Sequence, residues 1–359
     1  MMSRIGHRFG AQVVVGVVAL ALAPGGIPTA AAQGPGAASA GDSVSTTTAA
    51  RTARGHHYLH VASFNISGVL NDRNGRSHRP WQVRGTRVAR QLLGQDPAGQ
   101  RGARADVIAL QEANTSRRLS RGRTQYTDLV GRLNRWVTGG NPYRSINPSL
   151  RLNATRIAYN SHTLRLQRAG AFRWSAQETR IDGERMMAWA WFRVRATGRR
   201  FFFASVHLES ASKALRLRQW QQLVKVVPKL AHGLPVVIGG DFNATRNQHD
   251  AARQMLPRMR RAGFGDTLGQ NGPGYLTFAH CRARHLVDAN FFSVNHYGRH
   301  LAHYGHHNWV GQDIDYLFAS NRLKVTSWEL VADHRRGRDT IRGVIPSDHN
   351  MVRATIAFG

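Results

Sequence analysis

The sequence predicts an α/β protein in which two mixed β-sheets pack as a two-layer β-sandwich flanked by helices. Three observations lead there. Short runs rich in Val, Ile and Phe recur from His60 to the C-terminus, separated by Gly, Asn and Pro. Neighbouring runs are in places joined by short links, as Ala188–Val194 is to Phe201–Leu208, which makes hairpins. Elsewhere they are separated by stretches with apolar residues three and four apart, which makes strand–helix–strand units and argues against a purely parallel sheet.

Taken in order, residues 1–32 read as an export signal: Arg4 and Arg8 precede a short apolar run from Ala11 to Ala23, and Ala30, Ala31 and Ala32 offer a cleavage site before Gln33. The run is shorter than the roughly 20 residues of a membrane-spanning helix. The expectation is a secreted, extracellular protein. Residues 33–57, mostly Ala, Gly, Ser and Thr, cannot offset the entropy of ordering and are expected to form a flexible linker. One compact domain is expected over 58–359. Its predicted strands are Leu59–Ile66, Asp106–Gln111, Arg156–Tyr159, Leu164–Arg168, Met187–Val194, Arg200–Leu208, Pro235–Gly239, Ile314–Ala319, Val325–Val331 and Met351–Ala357. The predicted helices are Arg84–Leu93, Tyr126–Trp136, Ala214–Leu230 and Asp250–Ala262.

Hydrophobic residues make up 42% of the 359 and charged ones 19%, enough for a large core. Lys and Arg total 50 against 20 Asp and Glu, a formal charge of +30, and only Lys213, Lys225, Lys229 and Lys324 of those cations are lysines. Such a balance points to polyanions, and arginine's planar fork suits phosphate. The lone cysteine, Cys281, excludes an intramolecular disulfide.

The informative pattern is polar residues where the apolar strands end. Asn65 closes the first strand, and Gln111 and Glu112 close the second. His207 comes late in Phe203–Leu208, and a glycine pair leads into Asp241 and Asn243. Asp315 starts a strand, and Asp348 and His349 precede the last one. Each alone reads as a cap or turn residue; six such segments in one chain are hard to explain by packing.

On Gly-Asp-Phe-Asn at 240–243 and Ser-Asp-His at 347–349, supported by Gln-Glu at 111–112 and Ile-Asp-Tyr-Leu-Phe at 314–318, the chain resembles the endonuclease/exonuclease/phosphatase superfamily, a deoxyribonuclease I-like fold. The resemblance spans about Leu59 to Phe358. It implies hydrolysis of phosphoric esters by in-line water attack, with a divalent cation stabilising the phosphoryl oxygens. It implies Glu112 as principal metal ligand with Asn65 beside it, and Asp348 as a second metal-binding or His-supporting carboxylate. Asp241 would orient or deprotonate water, and Asn243 would hold phosphate or water in line. His349 would contact a phosphoryl oxygen or act as base, with Asp315 fixing its tautomer. His207, where deoxyribonuclease I and the sphingomyelinases carry a second histidine, would serve as general acid. Arg117, Arg118, Arg156 and Tyr159 are candidate substrate-binding residues. Oxygen donors make Mg2+ the expected cofactor, with Mn2+ or Ca2+ as alternatives. The His-rich tract through 296–307 is a rival metal candidate, read rather as a surface loop or substrate rim.

The leading expectation for function is a nuclease that binds nucleic acid as substrate, acting as a monomer with no stable protein partner and no membrane insertion. Alternatives are a sphingomyelinase-like phospholipase or a phosphomonoesterase using the same residues. A non-catalytic polyanion-binding module predicts a broken constellation, and every expected position is filled.

Overall fold

The computed structural model describes residues 57–72, 78–95, 103–115, 119–146, 154–177, 185–246, 251–269, 283–301, 313–334 and 338–358. The predicted export segment, all but the last residue of the predicted linker, Arg117, Arg118, Cys281 and the tract's His303, His306 and His307 lie outside them. No helix among the described residues is long and apolar enough to cross a membrane.

The chain opens with β1 (Tyr58–Asn65), α1 (Trp81–Leu92), β2 (Val107–Gln111), α2 (Gln125–Arg135), β3 (Tyr143–Ser145) and β4 (Arg156–Asn160). It continues with β5 (Leu164–Arg173), β6 (Met186–Val194), β7 (Arg200–His207), α3 (Lys213–Ala231), β8 (Val236–Asp241), α4 (Ala251–Arg261) and β9 (Phe264–Asp266). It closes with β10 (His285–Val287), β11 (Asp315–Ser320), β12 (Lys324–Val331) and β13 (Met351–Ala357). One sheet runs β10-β12-β13-β1-β2-β4-β3 and the other β5-β6-β7-β8-β11-β9. Both are mixed: β1 with β2 and β7 with β8 are parallel, and most other pairs are antiparallel.

Alternation of side chains along each strand sorts the core into three layers. Leu59 and Val61 of β1 and Val107 and Ala109 of β2 point between the sheets, against Phe203, Val237 and Leu317. Ala62, Phe64, Ile108 and Leu110 point outward and are covered by Trp81, Val88 and Leu92 of α1 and by Leu129 and Leu133 of α2. On the far side α3 and α4 cover the second sheet through Trp220, Leu223, Met255 and Met259. Central strands buried on both faces read as continuous apolar runs, which is why they are visible in sequence.

Pairing moves several boundaries. β5 extends to Arg173 because it pairs with β6 over its whole length, although its outer edge is too polar to read as a strand. The short β3, β9 and β10, absent from the sequence reading, owe their extended form to the strands beside them. α1 begins at Trp81 and not Arg84, because Asp72 Oδ2 accepts the Trp81 backbone N–H at 2.8 Å and caps the first turn from a distant segment. β8 runs on through its glycine pair to Asp241, paired with His207 and Asp315 on its two sides. A Cβ on Gly239 would lie 2.8 Å from Ala109 Cβ of the other sheet, and one on Gly240 would strike Val206. The two glycines therefore let the sheets close up directly behind the candidate site.

Candidate active site

Topology gathers the polar strand ends. Parallel β1 and β2 finish side by side, with Asn65 opposite Gln111 and Glu112 next in sequence. Parallel β7 and β8 likewise finish with His207 opposite Asp241. β11 runs antiparallel to β8 and so starts there, Asp315 opposite Asp241, while the loop entering β13 brings Asp348 and His349 to the same end. Each sheet supplies half of one cluster.

Asn65 is the joint between the halves. Its Nδ2 donates to Glu112 Oε1 at 3.0 Å and to Asp241 Oδ2 at 3.1 Å, and lies 3.5 Å from His349 Nε2. The Ser67 backbone N–H fixes the amide by donating to Asn65 Oδ1 at 3.1 Å. Glu112 is held in a left-handed backbone conformation (φ 56°), its Oε2 accepting the Gly68 N–H at 2.8 Å. Such a strained carboxylate at a strand end marks a site more than a stability device. Asp241 Oδ2 lies 3.5 Å from His207 Nε2 and 3.8 Å from His349 Nε2, and its Oδ1 accepts the Asn243 N–H at 2.9 Å. Asn243, also left-handed (φ 49°), donates its side chain to the Leu208 carbonyl at 3.0 Å. His349 Nδ1 and Asp315 Oδ2 are 2.8 Å apart. Ser347 donates to the Asn65 carbonyl at 2.7 Å, tying this loop to β1, and its Oγ lies 3.1 Å from Asp348 Oδ1.

The electrostatics separate the two histidines. Burial acts against a charged His349, but Asp315, with Asp241 and Asp348, outweighs it and holds the imidazole well above its ordinary pKa. Burial, with Arg185 and His349 adding to it, pulls His207 well below. The surroundings thus favour the charged form of His349 and the neutral form of His207. Burial raises Asp241 to about 7, opposed by His349 and assisted by Asp315.

The residues suit a hard divalent cation. Carboxylate oxygens of Glu112 and Asp241 converge with no sulfur donor, and Asp315 Oδ1 is buried without a hydrogen-bond partner, a surplus of negative charge that asks for a counterion. Donor atoms of Asp241, Asp315 and His349 also lie within 4.8 Å of one another, but Asp315 and His349 are already bonded to each other. Asn65 turns its amide nitrogen, not its oxygen, toward the carboxylates, which makes it their organiser.

Two candidate residues lie elsewhere. Arg156 is buried, its Nη2 donating to Thr115 Oγ1 at 2.6 Å and its guanidinium over the Tyr126 ring, so it braces the segment after Glu112. Tyr159 pairs with Val107 at the opposite end of β2 and packs on Phe192 in the core between the sheets. Asp348 turns to the wall of a neighbouring groove of about 420 Å³, lined also by Ser67, Asp72, His78, His296 and Tyr297.

Three arginines escaped the sequence reading. Arg84, without solvent exposure, donates to the carbonyls of Ile66, Ser67 and Pro346 and to Asp72. Its signal is a cation on the apolar stripe of α1, between Trp81 and Val88. Arg246 joins Asp266, Asp313 and the Asp315 carbonyl, and Arg185 stands beside His207 with Nη2 3.1 Å from Ser210 Oγ.

A model described as the Endonuclease/Exonuclease/phosphatase family matches residues 62–349. No curated protein matches the chain. Among solved structures, an endonuclease/exonuclease/phosphatase family protein from Bacteroides thetaiotaomicron is similar at 18% identity and a TM-score of 0.61, over 85% of this chain and 99% of that one. A mannosyl-6-phosphatase of the same organism follows at 18% and 0.60, over 84% and 100%. D. rerio TDP2, complexed with single-strand DNA product, is similar at 16% and 0.51, over 83% and 98%. At these identities the likeness speaks to fold.

Proposed function

The chain belongs to the endonuclease/exonuclease/phosphatase family, which makes it a metal-dependent phosphoric ester hydrolase, and from that premise we propose an exported Mg2+-dependent phosphodiesterase acting on nucleic acid. The observation that carries the reading is the convergence of Asn65, Glu112, Asp241, Asp315 and His349 at one end of the sandwich.

Glu112 would hold the cation, whose charge would neutralise that building on the phosphoryl oxygens. Asp241, with an affinity for protons raised by burial, takes one from the attacking water as the new O–P bond forms. His349 gives its proton to the leaving oxygen as the old P–O bond breaks, and Asp315 keeps the ring's Nδ1 side fixed. Neutral His207 offers a hydrogen bond to a non-bridging oxygen, and Asn243 positions water through its fixed left-handed backbone.

The charge of +30 supports nucleic acid as the substrate, since binding a phosphate backbone releases counterions whatever the sequence. Phosphomonoester hydrolysis is a second reading, favoured by the likeness to the mannosyl-6-phosphatase. The test is hydrolysis of plasmid DNA, RNA and sphingomyelin by the protein from Gln33 onward, with Mg2+ or EDTA, at low and moderate salt. The expected result is chelator-sensitive cleavage of nucleic acid that weakens as salt rises. Cleavage of the lipid alone, or of monoesters alone, overturns the nuclease reading and leaves the hydrolase standing.

A further inference from the structure

We infer that the outer face of the second sheet, built from β5, β6, β7 and the helix α3 that covers them, is a docking surface for the phosphate backbone of a nucleic acid, separate from the catalytic cluster. The inference rests on nucleic acid as the ligand proposed above.

The face carries positive charge with nothing of its own to balance it. Strands β5, β6 and β7 hold five arginines and α3 holds three lysines and two arginines, and none of these four elements contains an aspartate or glutamate. The helices of the first sheet differ, since Arg84, Arg87 and Arg132 there are ion-paired with Asp72, Asp333 and Asp128. A compositional bias toward arginine does not explain the contrast, because three of the chain's four lysines, Lys213, Lys225 and Lys229, stand on α3.

Local geometry sets like charges side by side. Arg165 lies opposite Arg193 and Arg193 opposite Arg200, so three arginines stand in a row across adjacent strands, roughly 5 Å from one to the next. Leu164, Val194 and Phe201 beside them point between the sheets, so alternation turns the row outward, where all three are exposed. Like charges directly opposite one another are destabilising. Protection of an open edge accounts for a charge on β5, which borders the sheet, but not for those on β6 and β7 inside it. On α3, exposed Arg218, Lys225 and Lys229 are seven and four residues apart and form one stripe opposite buried Leu223 and Val227, again a repulsive spacing for Lys225 and Lys229. Arg168 lies between row and helix, its guanidinium 5.8 and 5.5 Å from the ring centroids of Trp189 and Trp191, and Trp191 Nε1 donates to the Leu230 carbonyl of α3 at 3.0 Å.

A polyanion laid along this face relieves both repulsions at once. Over its 19 residues α3 extends about 28 Å, the length of roughly eight base pairs. β7 itself runs from Arg200 in the row to His207 in the cluster, which ties the face to the site. A bilayer surface fits less well, because the large hydrophobic residues exposed among the described ones, Tyr58, Leu70, Val83, Trp136 and Leu286, all lie off α3, β5, β6 and β7.

The test is binding of a DNA duplex of about three helical turns in EDTA, which stops turnover, across a salt series. It compares the wild type with three variants that each remove three exposed positive charges: Arg165→Gln/Arg193→Gln/Arg200→Gln in the row, Arg218→Gln/Lys225→Gln/Lys229→Gln on the helix and, as a control on the first sheet and its helix, Arg135→Gln/Arg144→Gln/Lys324→Gln. Expected in the first two is at least tenfold weaker binding and a slope of log K against log salt that is shallower by about 2, the loss of two to three phosphate contacts. The control should weaken less than threefold. All three should unfold at no lower urea concentration than the wild type, since only repulsion is removed. A wild type that does not hold the duplex, a control that loses as much as the others, or unchanged binding in either face variant overturns the inference, as does a loss on vesicles of anionic lipid with none on the duplex. A wild type that holds the duplex through these residues but cleaves neither plasmid DNA nor RNA when Mg2+ is added overturns the nuclease reading and leaves the docking surface standing.

Discussion

Arg84 and Arg246 are both shut off from solvent, and each braces one sheet's half of the site with different chemistry. Arg84 lies behind the end of β1, where three of its partners are backbone carbonyls and one is the Asp72 carboxylate. Arg246 lies behind the start of β11, clamped between the Asp266 and Asp313 carboxylates, with its guanidinium 3.9 Å from the Tyr316 ring centroid and an Nη2 donating to the Asp315 carbonyl at 3.1 Å. The first half is fixed largely by neutral groups, and the second by a buried network with more carboxylates than cations. The half that handles protons is thus also the half that buries the more charge, and changes on the two sides should fail differently.

The largest effects are expected on turnover. Asp241→Asn, on the second sheet, should lower kcat by about 10³-fold, within the range of a lost general base, and excess Mg2+ should not restore it. Glu112→Gln, on the first sheet, should produce a loss that added Mg2+ partly reverses, because it weakens cation binding and leaves Asp241 and His349 in place. Steady-state rates against Mg2+ concentration check both, and equal metal dependence of the two variants breaks the assignment of the cation to Glu112. Asp241→Asn should also unfold at higher denaturant than the wild type, since burying that carboxylate disfavours its charged form.

Next in size is the stability difference between the two braces. Arg246→Met strands two buried carboxylates and should cost about 3–5 kcal/mol in urea unfolding. Adding Asp313→Asn should recover part of that loss. Arg84→Met leaves mainly carbonyls to rehydrate, with Asp72 at the edge of solvent, and should cost about 2–3 kcal/mol. A larger cost at Arg84 than at Arg246 reverses the comparison.

These braces show where sequence reading stops. β1, β2, β7 and β8 were visible because both faces of each are buried, and the site residues because a polar group ending an apolar strand has no packing role there. Arg246 carries no local mark: its partners are 20 and 67 residues away, and it resembles every other arginine in a chain full of them. The place of Tyr159 has a related cause, since a tyrosine inside a short strand stands near one end of the sheet or the other according to strand direction, which only pairing with β2 decides. The division of protons between His207 and His349 depends on Arg185 and on Asp315, 34 residues before His349, and no spacing encodes it.

The smallest expected effect lies at the far end of the same strands, where Asp106 is buried with no cationic clamp of the Arg246 kind. Its Oδ2 accepts the His60 backbone N–H at 2.8 Å, and burial raises its pKa to about 6. In the unfolded chain an aspartate titrates near 3.9. Between about pH 4 and 6 the folded protein therefore holds a proton that the unfolded chain has lost, and stability falls as pH rises through that window. Nearby His60 has the opposite sign: burial lowers it from 6.5 to about 4, so its contribution is lost as pH falls from 6.5. Asp106→Asn keeps an oxygen for the His60 N–H and removes only the carboxylate's titration. The variant should be more stable than the wild type by roughly 1–2 kcal/mol at pH 7, with the advantage gone by pH 4, because His60 titrates alike in both proteins and cancels in the difference. Urea unfolding of the pair at pH 7, 5 and 4 measures this. An advantage that does not change with pH means that the carboxylate is charged and well served in the fold, and that the far end accommodates a buried charge without a cationic clamp.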